Sequence, residues 1–299
     1  MAQQRAIDVH QHLWPEELLD ALRRRSAPPR LDGWTLHLAG EPAYEVDPPA
    51  HDVGRRAAQE GDRDRVLVSL SCPLGIEALP PDEAQPLLDA WHAGAGRLPE
   101  PFGAWASIAV VDPDLGGLKG LLASGFAGLQ VSATALATPA GVGQLAEALE
   151  VCQTAGRPVL VHPGPVPGRS DEPLPAWWPA VVDYPAQLAA AWWAWQAVGR
   201  TLLPDLRICF VAGAGLAPVH HERFAARGGH ALRADPNTFV DTSSYGRGGL
   251  DSLIRVLGID PVVLGSDRPY AEPTDPGLGA AATRAIRVVN PRRLLEGPP

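Results

Sequence analysis

The chain is expected to be an α/β protein, a (β/α)8 TIM-like barrel with long loops after strands one and five. Three observations carry that expectation. Short apolar runs alternate with helix-like segments along the whole length, which implies parallel strands joined by crossover helices. Eight such units can be counted, and eight close a barrel. No GxGxxG follows the first strand, the mark an open dinucleotide-binding sheet would carry. The 299 residues exceed the ~150 of an average domain, but barrels of ~250 residues are routinely one unit. Residues 1–299 are therefore expected to form a single domain.

The first strand is Ile7-Asp8-Val9-His10-Gln11-His12, where Ile7 and Val9 alternate with polar neighbours. Residues 13–50 follow as an irregular excursion rich in Pro, Trp and Leu, with a helical patch at 16–25. Loops this long are commonly lids or binding loops. A polar helix at 50–61 leads to a buried strand at 65–70. Pro81-Asp82-Glu83 opens the next helix, its acids suited to the positive end of the helix dipole, and it runs to about 95. Strands are expected at 102–110, 127–131 and 158–162, separated by helices at 115–124 and 142–155. Residues 163–179 break all periodicity, and a long apolar helix over 184–203 follows. The remaining strands fall at 207–211, 238–242 and 261–265, with helices begun by Pro218, at 250–257 and at 279–289. No hairpin signal, repeat or low-complexity tract is read between them.

Composition excludes several classes. Hydrophobic residues make up 45% of the chain, ample for a large core. A net charge of -9 argues against nucleic acid and anionic membrane as partners, since both need a basic face. No apolar run suits a signal peptide or a membrane helix, so a cytoplasmic protein is expected. Cys72, Cys152 and Cys209 are isolated within or beside apolar runs and are read as reduced core thiols rather than a zinc knuckle.

In barrels the working residues sit at the C-terminal ends of strands. The first strand ends in His10 and His12, which project from one face because strand side chains alternate. The fourth supplies Gln130, the fifth ends in His162, the seventh supplies Asp241, Thr242 and Ser243, and the eighth ends in Leu264-Gly265-Ser266-Asp267-Arg268. His162 alone would be read as a satisfied core histidine, and Asp267 alone as a turn cap. Three imidazoles and a carboxylate from strands one, five and eight instead make a first shell for one divalent ion, with zinc the expected one.

HxH after the first strand, His-Pro after the fifth and Gly-Ser-Asp after the eighth resemble the amidohydrolase superfamily. The similarity is closest to the branch that includes aminocarboxymuconate semialdehyde decarboxylase, and it covers nearly the whole chain. The resemblance implies that His10, His12, His162 and Asp267 bind the metal. Many members bridge two metals through a carbamylated lysine on the fourth strand. Here that position is Gln130 or a neighbour, and the sole lysine, Lys119, lies in the preceding helix, which leaves one metal. Relatives also place a histidine at the end of strand six, whereas this chain has Val211-Ala212-Gly213-Ala214-Gly215. His220 shares a helical face with Leu216 and Phe224, so it is expected to point inward as the substitute acid–base group, with His221 facing solvent.

Two chemistries fit such a site. In hydrolysis a metal-activated water attacks a carbonyl, and Asp267 acts as ligand and proton acceptor. In non-oxidative decarboxylation of an aromatic or unsaturated acid, the substrate carboxylate meets the metal and an acid protonates the carbon that loses CO2. The missing strand-six histidine weakens the second, so hydrolysis of a small aromatic or hydrophobic substrate is the first expectation. A non-catalytic barrel that binds a metal or ligand is the third. Trp14 and Trp34 after strand one, and Trp177 and Trp178 after strand five, are expected to line the substrate pocket with Gln130. Arg268, Arg247 and Arg169 are candidate cations for a substrate carboxylate. Trp192, Trp193 and Trp195 are expected in the core or at a homodimer interface.

Overall fold

The structure is a computed structural model that describes residues 5–297 apart from 40, 62, 167–173, 230–234, 274 and 276. Eight parallel strands stand where the apolar runs placed them. They are β1 (Ala6–Gln11), β2 (Arg63–Val68), β3 (Phe102–Ala104), β4 (Leu129–Ser132), β5 (Val159–His162), β6 (Ile208–Phe210), β7 (Thr238–Asp241) and β8 (Val262–Val263). β1 to β3 pair in one sheet and β4 to β8 in another, each strand beside its sequence neighbour.

Two seams join the sheets into a ring. Between β8 and β1, Val9 N–H donates to Leu264 O at 2.9 Å and Asp267 N–H to His10 O at 2.9 Å. Beyond the end of β1, His12 N–H donates to Arg268 O at 2.7 Å. Between β3 and β4, Ala106 N–H donates to Gly128 O at 2.9 Å and Gln130 N–H to Ala106 O at 2.8 Å. Closure satisfies every strand edge, and the helices cover the outer face, so the strands are buried on both sides. The interior is packed rather than hollow. The Trp105 indole N–H donates to Val9 O at 2.9 Å across the barrel, and Trp105 O receives the Trp91 indole N–H at 3.2 Å.

The excursion after β1 departs from the irregular loop expected. Its helix is present at Glu16–Arg23, but Arg30–Asp32, Thr35–His37 and Tyr44–Glu45 form a small antiparallel sheet. The signal was Asp32-Gly33: Gly33 has φ 61°, the left-handed conformation a two-residue hairpin turn demands of its first central residue. The long apolar helical stretch after β5 runs from Pro179 to Leu202, with wider turns at both ends of Tyr184–Ala194. Trp192 and Trp195 on it are core residues, at 2% and 1% exposure. The three cysteines are free and buried. No helix among the described residues is long and apolar enough to cross a membrane.

Candidate metal centre

Four side chains converge at the C-terminal mouth of the ring. One donor atom from each of His10, His12, His162 and Asp267 lies within 4.8 Å of the others. The Nε2 atoms of His10 and His12 are 3.2 Å apart, and Asp267 Oδ1 lies 3.6 Å from the first and 3.2 Å from the second. The ring centroids of His162 are 5.1 Å from His10 and 4.9 Å from His12. β1 alternation brings the two N-terminal histidines to one face, while β5 and the turn after β8 deliver the others. Asp267 has φ 62°, a conformation unusual for a residue other than glycine, which aims its carboxylate at the cluster.

Each imidazole is held from behind through Nδ1. His10 Nδ1 meets Asp241 Oδ2 at 2.8 Å, His12 Nδ1 meets Ser69 O at 3.1 Å, and His162 Nδ1 meets Pro163 O at 2.9 Å. Carboxylate and carbonyl oxygens only accept, so all three Nδ1 atoms carry the proton and the Nε2 atoms present lone pairs. Two lone pairs facing across 3.2 Å beside a carboxylate repel unless a cation lies between them. The donor set therefore fits one divalent ion, and three imidazoles with one oxygen are suited to zinc-like metals. Burial keeps two of the three imidazoles neutral. Burial, then the neighbouring His12 and His10, holds His162 well below the ordinary imidazole pKa. Burial also lowers His12. For His10 burial opposes charging, but Asp241 outweighs it and the pKa is raised. Burial would raise Asp267, yet the three imidazoles hold it down at about 2, so it is ionised at neutral pH.

A network of buried charges braces the ligand-bearing segments. Asp8, one pleat below His10, accepts Ser266 N–H at 3.0 Å and the Gln11 amide at 2.9 Å, and lies 3.5 Å from Arg63. Arg63 pairs with Glu60, and Glu60 with Arg268. Arg56 donates to His12 O at 2.8 Å and to Gln11 Oε1 at 2.7 Å.

The other candidate residues are distributed differently from the expectation. Trp14 is 1% exposed, stacks on His51 at 4.4 Å and donates to Ser71 Oγ at 3.0 Å, so it backs the site instead of lining a pocket. Trp34 is half-buried against Arg23, and Trp178 is half-buried and stacked on Trp177. Gln130 is buried in a network with Leu70 O, Cys72 and Glu77. Arg268 is held by Glu60 and Glu272, and Arg247 reaches Asp275 O, so neither cation is aimed at the cluster. Arg169 lies outside the described residues.

His220 requires a correction: it is exposed on the segment after β6 and does not join the cluster. The inward-facing argument assumed a regular helix from Leu216 onward. Instead residues 212–216 all have positive φ, between 44° and 61°, and a narrow 3-10 turn runs on to His220. The i, i+4 relation to Leu216 is lost. A residue missed from the sequence stands closer. Tyr270, 52% exposed, places its ring centroid 5.4 Å from that of His12. Its only signal was its position three residues after Asp267.

No family model matches the sequence, and no curated protein matches it. Among solved structures, 2,6-dihydroxybenzoate decarboxylase from Rhizobium is similar at TM-score 0.71 and 18% identity, covering 98% of this chain and 99% of that one. The 5-carboxyvanillate decarboxylase from Novosphingobium aromaticivorans, complexed with manganese and 4-hydroxy-3-methoxy-5-nitrobenzoic acid, gives TM-score 0.71 and 16% identity over 98% and 96%. The 4-oxalomesaconate hydratase from Rhodopseudomonas palustris gives TM-score 0.69 and 17% identity over 97% and 95%. The chain thus shares its fold with these two decarboxylases and this hydratase.

Proposed function

We propose that this protein is a divalent-metal-dependent, non-oxidative decarboxylase of a small aromatic carboxylic acid. The observation that carries the reading is the cluster of buried His10, His12 and His162 with half-buried Asp267 at the mouth of this particular fold. Support comes from neighbours of that fold that are decarboxylases of hydroxylated aromatic acids, one of them with manganese bound. It revises the first expectation of a hydrolase.

The reaction breaks the bond from a ring carbon to its carboxylate and replaces it with a bond to hydrogen, releasing CO2. A bound metal would supply the positive charge that receives the carboxylate and an adjacent substrate oxygen. The three histidines and Asp267 would hold that ion, and the Nδ1 contacts fix each ring for the task. The carbon that loses CO2 needs a proton. Asp267, with its pKa near 2, is a poor donor at neutral pH. Tyr270 stands beside His12, and burial raises its hydroxyl pKa above the ordinary phenol value, so it keeps its proton at neutral pH; we assign it the place that the strand-six histidine holds in relatives.

Zinc remains the expected ion from the donor set, with manganese the alternative that the neighbour suggests. Hydrolysis is the second reading, favoured by the ionised Asp267, which is suited to take a proton from a water. Protein loaded with zinc or manganese should release CO2 from hydroxybenzoates, and Tyr270→Phe should lower kcat by roughly 10²-fold or more. Hydrolysis of aryl esters or lactones with no CO2 from any aromatic acid would overturn decarboxylation. Full activity in Tyr270→Phe would remove only that residue's role.

A further inference from the structure

The end of β6 and the side chain of Asp241 form a device that the metal reading leaves unexplained. Residues Ala212 to Leu216 make five consecutive left-handed conformations. Each such conformation is unfavourable at a residue with a Cβ, and left-handed residues normally occur singly. Three of the five carry a Cβ: Ala212, Ala214 and Leu216. A turn this unfavourable persists only where its surroundings over-determine it.

Its first N–H shows what the turn accomplishes. Ala212 N–H donates to Asp241 Oδ1 at 2.7 Å, and the same oxygen receives Ser243 N–H at 3.0 Å and Ser243 Oγ–H at 2.6 Å. The other oxygen, Oδ2, receives His10 Nδ1–H at 2.8 Å. Asp241 is fully buried, and Gly265 closes over it so tightly that a Cβ there would lie 2.3 Å from Oδ2. Both carboxylate oxygens therefore face donors, in a slot with no freedom to turn.

We propose that Asp241, clamped by the left-handed turn after β6, is the positioning residue that fixes the tautomer and aim of His10. Where relatives keep a histidine, this chain spends the end of β6 on holding that carboxylate. The requirement is for an acceptor on both sides. An asparagine has the same shape but must point its NH2 at a donor, either the Ala212 and Ser243 N–H groups or His10. The relief available to His10 is to move its proton to Nε2, which removes the lone pair offered to the metal. The same wrong-tautomer logic explains losses in catalytic triads.

The inference rests on the metal reading, and the test separates the two. Zinc affinity of the purified protein is measured by competition with a chromophoric chelator, without substrate, for wild type, Asp241→Asn and Ser243→Ala. His10 tautomers in metal-free protein are read from imidazole 15N shifts. Asp241→Asn should lose roughly 10–100-fold in affinity, the range typical of such outer partners, with a Nε2–H shift for His10. Ser243→Ala removes one donor but keeps the carboxylate, so it should lose less and retain the Nδ1–H tautomer. Thermal melting of metal-free Asp241→Asn reports whether it folds. If it does not, a severalfold loss of zinc affinity in Ser243→Ala with the Nδ1–H tautomer retained supports the clamp, and wild-type zinc affinity in Ser243→Ala overturns it. A folded Asp241→Asn that binds zinc within twofold of wild type also overturns the clamp and leaves the metal site standing. Wild type that binds no metal overturns both.

Discussion

At the scale of single residues, the bracing behind the cluster matters as much as the ligands. Arg56 is 2% exposed and donates to His12 O, Ala50 O and Gln11 Oε1. Replacing it with Met keeps much of the stem volume but leaves three acceptors without their donor. Each stranded buried acceptor costs roughly 1–3 kcal/mol, so Arg56→Met should lower the melting temperature markedly. Because His12 O loses its anchor, metal affinity should fall as well. An unchanged melting curve would mean that water takes over all three bonds. None of this was legible in the sequence, where Arg56 is one arginine on a polar helix. His10 and His12, by contrast, were legible because alternation along a strand needs no knowledge of distant partners. Trp14 shows the limit of that logic. Its place in a mouth-side loop was clear, but only packing against His51 and Ser71 decided that it faces inward.

The helix Glu16–Arg23 packs closely against the helix Pro81–Ala95. A Cβ at Gly94 would sit 2.4 Å from Glu17 Oε2 and 2.5 Å from Pro15 Cβ. The carboxylate could swing away, but the proline ring cannot. Gly94→Ala should therefore destabilise the protein by about 1–3 kcal/mol through overpacking. Denaturant unfolding measures it, and a neutral or stabilising outcome would show that this crossing has slack. The segment after β6 teaches the complementary lesson. Gly213 and Gly215 advertised a turn, yet nothing local announced that Ala212, Ala214 and Leu216 would share the left-handed conformation. That run is tied at its start to Asp241 through the Ala212 N–H, and with it went the helical register that was to carry His220 inward. The hairpin after β1 turns at Asp32-Gly33, a local signal set in a stretch rich in proline.

On the scale of the whole molecule, two buried neutral histidines make the fold sensitive to acid. Burial first, then the neighbouring Arg56 and His12, holds His51 down at about 3, and burial holds His92 down at about 4. Each uses a lone pair: His51 Nδ1 accepts Trp14 N–H at 3.1 Å, and His92 Nε2 accepts Ser107 N–H at 3.1 Å. An unfolded histidine takes up its proton near pH ~6.5, well above these folded values. Between the two the unfolded chain binds more protons, so stability falls as pH drops from ~6.5 towards 3–4. Melting temperatures of metal-free protein should decline over that range and hold steady above it. His92→Gln retains an acceptor without a titration and should flatten part of the slope. The same slope in that variant would place the acid sensitivity elsewhere.

The sequence by itself determined the number and order of the strands and the four residues offered to a metal. Apolar runs, strand alternation and position at strand ends are local properties, and closure of eight strands brings their ends together whatever the loops do. Tertiary structure alone decided which groups stand behind and beside those ligands. It seated Asp241 against His10, drew Arg268 away to Glu60 and Glu272, left His220 in solvent and brought Tyr270 next to His12. Such choices depend on hydrogen bonds and packing between residues far apart in the chain, where no local periodicity carries information.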